Sequence, residues 1–169
     1  MNILIREDDL KKRISELGEE INNDYKNKNP ILIGVLKGAF VFLADLLREL
    51  EIQVEIDFLG ITSYEGTKSS GIVRITQDLS LNIEDRDIIL VEDIVDSGRT
   101  INYIISNLKT RNPRSIAVCT LLNKKDARMV DVPITYVGFN IPTVFVVGYG
   151  LDYDKKYRNL KYIGVYNAQ

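Results

Sequence analysis

Three carboxylates, Glu92, Asp93 and Asp96, fall close together in the chain, and Ser97, Gly98, Arg99 and Thr100 follow without a break. Carboxylates at such spacing can hold sugar hydroxyls, a metal ion or a proton. Ser97 to Thr100 supplies hydroxyls, backbone N–H groups and a glycine that lets an anion approach closely. The segment therefore joins an anion cradle to a row of acids. An acidic surface turn is the plainer alternative, since such turns are common. Three acids between an apolar run and Ser-Gly-Arg-Thr are not common.

These residues need rigid elements on either side. Ile88 to Val91 is an unbroken aliphatic run with three β-branched members, the pattern of a strand buried on both faces. A helix is predicted from about Arg99 to Lys109. The acids then stand at the carboxyl end of a strand, where open parallel sheets bind their ligands.

Other elements follow in the same style. Leu10, Ile14, Leu17 and Ile21 share a helical face, predicting a helix over about Glu7–Tyr25 with Glu7, Asp8 and Asp9 favouring its start. Ile31 to Leu36 is an apolar strand, and a helix is expected from about Ala39 to Leu50. Strands are predicted within Glu51–Ile61, Ile72–Leu79, Ser115–Leu122, Ile134–Phe139 and Lys161–Tyr166. The alternation of strands and helices predicts an α/β fold with a mostly parallel sheet flanked by helices. Residues 62–72 are rich in Ser, Thr and Gly and read equally as a hairpin tip or as a lid. Lys37-Gly38 reads equally as an ordinary turn or as a ligand loop. The adjacent lysines at 124 and 125 read first as solvated surface charge, as such pairs after a strand usually are.

Val91 to Thr100, read as V-E-D-I-V-D-S-G-R-T, resembles the phosphoribosyl pyrophosphate signature of the type I phosphoribosyltransferases, nearest to their hypoxanthine-guanine branch. The resemblance extends over roughly Leu4 to Tyr166. It implies a single domain with a core over about 28–122, a small hood largely from 123–169, and a flexible lid at about 62–72. Any share of the hood supplied by the N-terminus stays open. The implied phosphoribosyl and phosphate site is Glu92, Asp93, Asp96, Ser97, Gly98, Arg99 and Thr100. Pyrophosphate would meet Lys37, Gly38, Ser63, Tyr64 and Arg158, with a cis peptide at Leu36–Lys37. Purine would meet Lys124 at its 6-oxygen, Phe145 by stacking, the Val146 backbone and Asp152. Magnesium would be held through Glu92, Asp93 and Asp152. The chain departs from the branch at Asn123-Lys124-Lys125, where many bacterial relatives carry Asp-Lys-Pro, and at Thr143, where an acid is usual. Losing that proline is expected to free the loop.

Composition bounds the rest. The 169 residues suit one domain, and 45% hydrophobic with 27% charged content is that of a soluble globular protein. A formal charge of −2 argues against nucleic-acid binding through bulk electrostatics. The single Cys119 excludes an internal disulfide and suits a core thiol. No apolar run approaches the roughly 18 residues of a membrane span, so a cytoplasmic protein without a membrane partner is expected. The chain has no histidine, so proton transfer falls to carboxylate, lysine or tyrosine. Asp96, at the loop entrance, is then the candidate to exchange a proton with purine N7.

Two functions of different kinds remain. One is an enzyme joining hypoxanthine or guanine to phosphoribosyl pyrophosphate and releasing pyrophosphate, with magnesium as cofactor and a homodimer or homotetramer as its assembly. The other is a regulator on the same fold that senses phosphoribosyl pyrophosphate and binds RNA. A regulator should carry a basic face, whereas Lys124, Phe145 and Asp152 match purine-enzyme positions.

Overall fold

The computed structural model describes residues 1–64 and 72–167, with Ser63, Tyr64 and Ile72 described by backbone alone. In chain order the elements are β1 (Asn2–Ile5), α1 (Glu7–Asp24), β2 (Ile31–Leu36), α2 (Phe40–Arg48), β3 (Glu55–Tyr64), β4 (Ile72–Gln77), β5 (Asp87–Val95), α3 (Arg99–Lys109), β6 (Ser115–Asn123), a 3-10 turn at Lys125–Ala127, β7 (Tyr136–Asn140), β8 (Val146–Val147) and β9 (Ile163–Val165). The segment proposed as a lid lies largely outside the described residues.

Six strands form the main sheet in the order β4-β3-β2-β5-β6-β7. Only the β3–β4 pair is antiparallel. The chain leaves β2 for β3 through α2 and leaves β5 for β6 through α3, in opposite directions across the sheet. Leu43 and Leu46 of α2 pack with α1 in one buried cluster, while Ile101, Ile104 and Leu108 of α3 pack in another. Ile31, Ile33, Ile88 and Leu90 join the α3 cluster, whereas Leu32, Ile89 and Val91 join the other. Alternate residues of β2 and β5 thus serve opposite faces, and near-continuous apolar runs are what two covered faces require. Among the described residues no helix is long and apolar enough to cross a membrane.

The reversal between β2 and β5 fixes the site. Gly34 pairs with Val91 in parallel register, so Leu36–Gly38 and Glu92–Asp96 emerge side by side at one edge. A crevice forms where neighbouring strands part to opposite faces.

A second, three-stranded antiparallel sheet, β1-β9-β8, stands over this edge as the hood. The N-terminus supplies one of its strands, with Asn2 opposite Val165 and Ile3 opposite Gly164. The strand predicted at 134–139 is β7 and belongs to the main sheet, so only part of the segment after Asn123 builds the hood. At the outer rim, Arg13 of α1 donates from Nε to the Gly138 carbonyl at 3.0 Å and from NH2 to the Val137 carbonyl at 2.7 Å.

Candidate active site

The phosphate end is built by the turn from β5 into α3. Gly98 is the N-cap of α3 with φ of 86°, a left-handed conformation that suits glycine. A Cβ there would lie 2.5 Å from the Val130 carbonyl oxygen. The Ser97 carbonyl accepts from Met129 N at 2.9 Å and Val130 N at 3.0 Å, so the turn is held from outside as well. The first N–H groups of α3 have no helical partner and carry the positive end of its dipole. A cleft of about 290 Å³ opens over them, lined by Gly38, Glu92, Asp93, Asp96, Ser97, Gly98 and Thr100 among others. Arg99 is exposed on the first turn of the helix.

Glu92 is buried, and burial first, then the Asp93 charge, pushes its carboxyl well above the ordinary range. Burial also raises Asp93, although the Ile94 amide donates to it at 2.8 Å and Arg158 favours its charge. A buried acid beside a half-buried one at the cleft wall favours an arriving cation or a hydroxyl donor. Gly38 stands directly over Asp93, for a Cβ there would lie only 1.7 Å from Asp93 Oδ2. The Leu36–Lys37 peptide is cis, as the resemblance implies. The Lys37 side chain is exposed, while Leu36 and Gly38 line the cleft. Ser63 and Tyr64 end β3, opposite Val73 and Ile72, and their side chains lie outside the described residues.

A second cleft of about 360 Å³ shares Gly38, Asp93, Ile94 and Asp96 with the first and continues to Lys124, Phe145, Val146, Asp152 and Arg158. The two form one groove with an anion end and an end where charged groups surround one aromatic ring. Lys124 follows β6, whose Asn123 pairs with Val95 of β5, and its N–H donates to the Val95 carbonyl at 3.0 Å. Lys124 is 7% exposed, and its ammonium donates to Asp96 Oδ2 at 3.0 Å. Phe145 is 51% exposed and offers a ring face. Val146 is buried with its backbone in β8, opposite Val165. Asp152 pairs with Arg158 at 2.9 Å and accepts the Lys155 amide.

Several features escaped the sequence reading. Asp96 and Lys124 form an ion pair although 28 positions apart. The Phe145 ring is held edge-on by Tyr153 at 5.8 Å and Tyr166 at 6.1 Å, and those two tyrosines stack at 4.3 Å. Side chains that the sequence did not single out anchor both ends of the loop after β6. Asn123 is buried, donates to Asn140 Oδ1 at 2.9 Å and accepts from Arg128, whose Nε also reaches the Asp96 carbonyl at 3.2 Å. Thr143 is exposed in a bend and is not among the groove residues.

The donor set suits magnesium, which takes carboxylate and phosphate oxygens and keeps several waters. Among the described residues no three acidic, histidine or cysteine side chains converge as a metal cage. Asp152 faces the groove with Asp93 but is turned to Arg158. An ion here would take few protein oxygens, from Glu92 and Asp93, and the rest from substrate or water.

Comparison with known proteins agrees with this geometry. The phosphoribosyl transferase domain family matches residues 5–154. The hypoxanthine-guanine phosphoribosyltransferase of Mycobacterium tuberculosis is 49% identical over 170 residues, covering 96% of this chain and 84% of its own. The bifunctional protein TilS/HprT of Listeria monocytogenes is 48% identical over 164 residues, and the chain spans only 25% of that longer protein. A crystal structure of a hypoxanthine-guanine phosphoribosyltransferase from Bacillus anthracis superposes with a TM-score of 0.94 at 40% identity, covering 99% of each chain. The chain belongs to the phosphoribosyltransferase family, in its hypoxanthine-guanine branch.

Proposed function

We propose that the chain transfers the 5-phosphoribosyl group of phosphoribosyl pyrophosphate to hypoxanthine or guanine, yielding IMP or GMP and pyrophosphate, a purine-salvage reaction. The observation that carries this reading is the Lys124–Asp96 pair at 3.0 Å beside an open aromatic face. A 6-oxopurine presents O6 and N7 on one edge, so one cation and one carboxylate can meet them together. The ammonium donates to O6, which adenine replaces with an amino donor. Phe145 supports the flat ring without choosing among purines.

The anion end takes the other substrate. The N–H groups and hydroxyls of residues 97–100 receive the 5′-phosphate, Glu92 and Asp93 hold the ribose hydroxyls, and Lys37-Gly38, Ser63, Tyr64 and Arg158 receive pyrophosphate. Magnesium, when bound, offsets the charge of the departing pyrophosphate. As purine N9 bonds to C1′ and the bond to pyrophosphate breaks, Asp96 accepts the N7 proton. Nearby carboxylates stabilise the positive charge that develops on the sugar. The reading extends to a cytoplasmic enzyme without nucleic-acid or membrane partners, in keeping with a formal charge of −2. It extends also to a homodimer or homotetramer, which light scattering checks.

The test is initial-rate assay with hypoxanthine, guanine, xanthine and adenine, with magnesium and with chelator. Hypoxanthine and guanine should turn over, xanthine poorly and adenine essentially not. Opposed or unpaired groups at position 2 cost about 1–3 kcal/mol, roughly five- to 150-fold. Chelation should abolish turnover. Adenine rates equal to hypoxanthine would remove Lys124 from its role, and inactivity with every purine would favour the regulator.

A further inference from the structure

Gly148, Tyr149 and Gly150 have φ values of 101°, 52° and 99°, three left-handed residues in succession. Glycine adopts this conformation freely; a bulky tyrosine between two glycines does so only under constraint. The constraint is visible at both ends of the residue. Tyr149 N donates to the Leu160 carbonyl at 2.9 Å, and its buried phenol donates to Asp45 of α2. Burial first, then Asp45, raises the phenol well above its ordinary range, so it stays a donor.

What the run presses against is the pyrophosphate loop. A Cβ on Gly150 would lie 2.4 Å from the Gly38 carbonyl oxygen, and Gly38 in turn abuts Asp93. The Gly150 carbonyl accepts Arg158 NH1 at 2.6 Å, and Gly150 N donates to the Arg158 carbonyl at 3.0 Å. Asp45 lies on α2, the helix that leaves this same loop. Tyr149 thus ties the segment that seats Arg158 to the helix that follows Lys37-Gly38.

We propose that the Tyr149–Asp45 hydrogen bond sets the spacing between Arg158 and the Lys37-Gly38 loop, making Tyr149 a positioning residue for the pyrophosphate group of phosphoribosyl pyrophosphate. The proposal rests on the assignment of that loop and Arg158 to pyrophosphate. Tyr149→Phe removes one neutral-to-charged hydrogen bond and keeps the ring. The KM for phosphoribosyl pyrophosphate should rise about five- to tenfold, while the KM for hypoxanthine stays within twofold. Asp45→Asn keeps an acceptor and should have the smaller effect. The double variant should be no worse than Tyr149→Phe alone, because both changes break one contact. Thermal denaturation of each variant runs in parallel. A lowered Tm with unchanged KM for phosphoribosyl pyrophosphate, an equal rise in both KM values, or additive losses would each overturn the proposal. Calorimetric affinity for phosphoribosyl pyrophosphate gives the same comparison without purine turnover, so failure of the enzyme assignment and failure of the positioning role are told apart.

Discussion

Replacing Lys124 with methionine keeps most of the apolar stem and deletes the ammonium. Lys124 is itself only 7% exposed, so water is poorly placed to substitute. The donor is charged, and a hydrogen bond of that kind contributes about 1.5–3 kcal/mol. The corresponding loss in kcat/KM for hypoxanthine is about ten- to 150-fold. The ion pair with Asp96 adds nothing to this figure, since the Asp96 side chain is 53% exposed and solvent screens it. Adenine, which has no oxygen at position 6, should lose nothing by the change, so the hypoxanthine-to-adenine ratio should fall by the same factor. Initial rates with both bases at saturating phosphoribosyl pyrophosphate give the ratio. A hypoxanthine kcat/KM within threefold of the parent, or an equal loss for both bases, would refute the reasoning.

Asp96→Asn keeps an acceptor for Lys124 but cannot take a proton, so kcat should fall about 10²–10⁴-fold while phosphoribosyl pyrophosphate still binds; near-normal turnover with chemistry limiting would assign the proton elsewhere. Glu92→Gln neutralises a buried acid, and in metal-free buffer it should stabilise the fold by about 0.5–2 kcal/mol while reducing activity. The sign depends on pH. The native carboxyl binds its proton more tightly than the unfolded chain does, so parent stability falls as pH rises through the raised native value. The gain should therefore appear at alkaline pH and vanish in acid, and equal gains at both would contradict the burial argument.

The acids and the turn were legible in the sequence because all lie on one continuous stretch. β5, α3 and the cradle between them depend on local pattern, and α3 spans Arg99–Lys109 as read. Pattern failed where pairing decides. The strand expected within Glu51–Ile61 begins only at Glu55, opposite Ile31, because β2 offers no earlier partner. Ile52 and Val54 instead pack, half-buried, against the core as loop residues. β1 is four residues whose partners arrive at Ile163–Val165, so nothing local announces it. The same distance hides the contacts of the site. Tyr153 and Tyr166 meet Phe145 across turns of the hood, and Asn123 is fixed through Asn140 and Arg128. Resemblance supplied the roles of Lys124, Phe145 and Arg158, which spacing alone left open.

Arg13 at the β7 rim has a consequence for how copies of the chain can meet. An unpaired edge strand is a template on which a foreign strand can zip, through a repeating row of amides and carbonyls. The guanidinium takes the adjacent carbonyls of Val137 and Gly138 in β7 and holds α1 across the margin. A second sheet extending this one there would first have to displace these two charge-assisted hydrogen bonds. A copy of the chain meeting this one would therefore have to do so elsewhere than by strand addition at the part of the β7 margin that Arg13 covers.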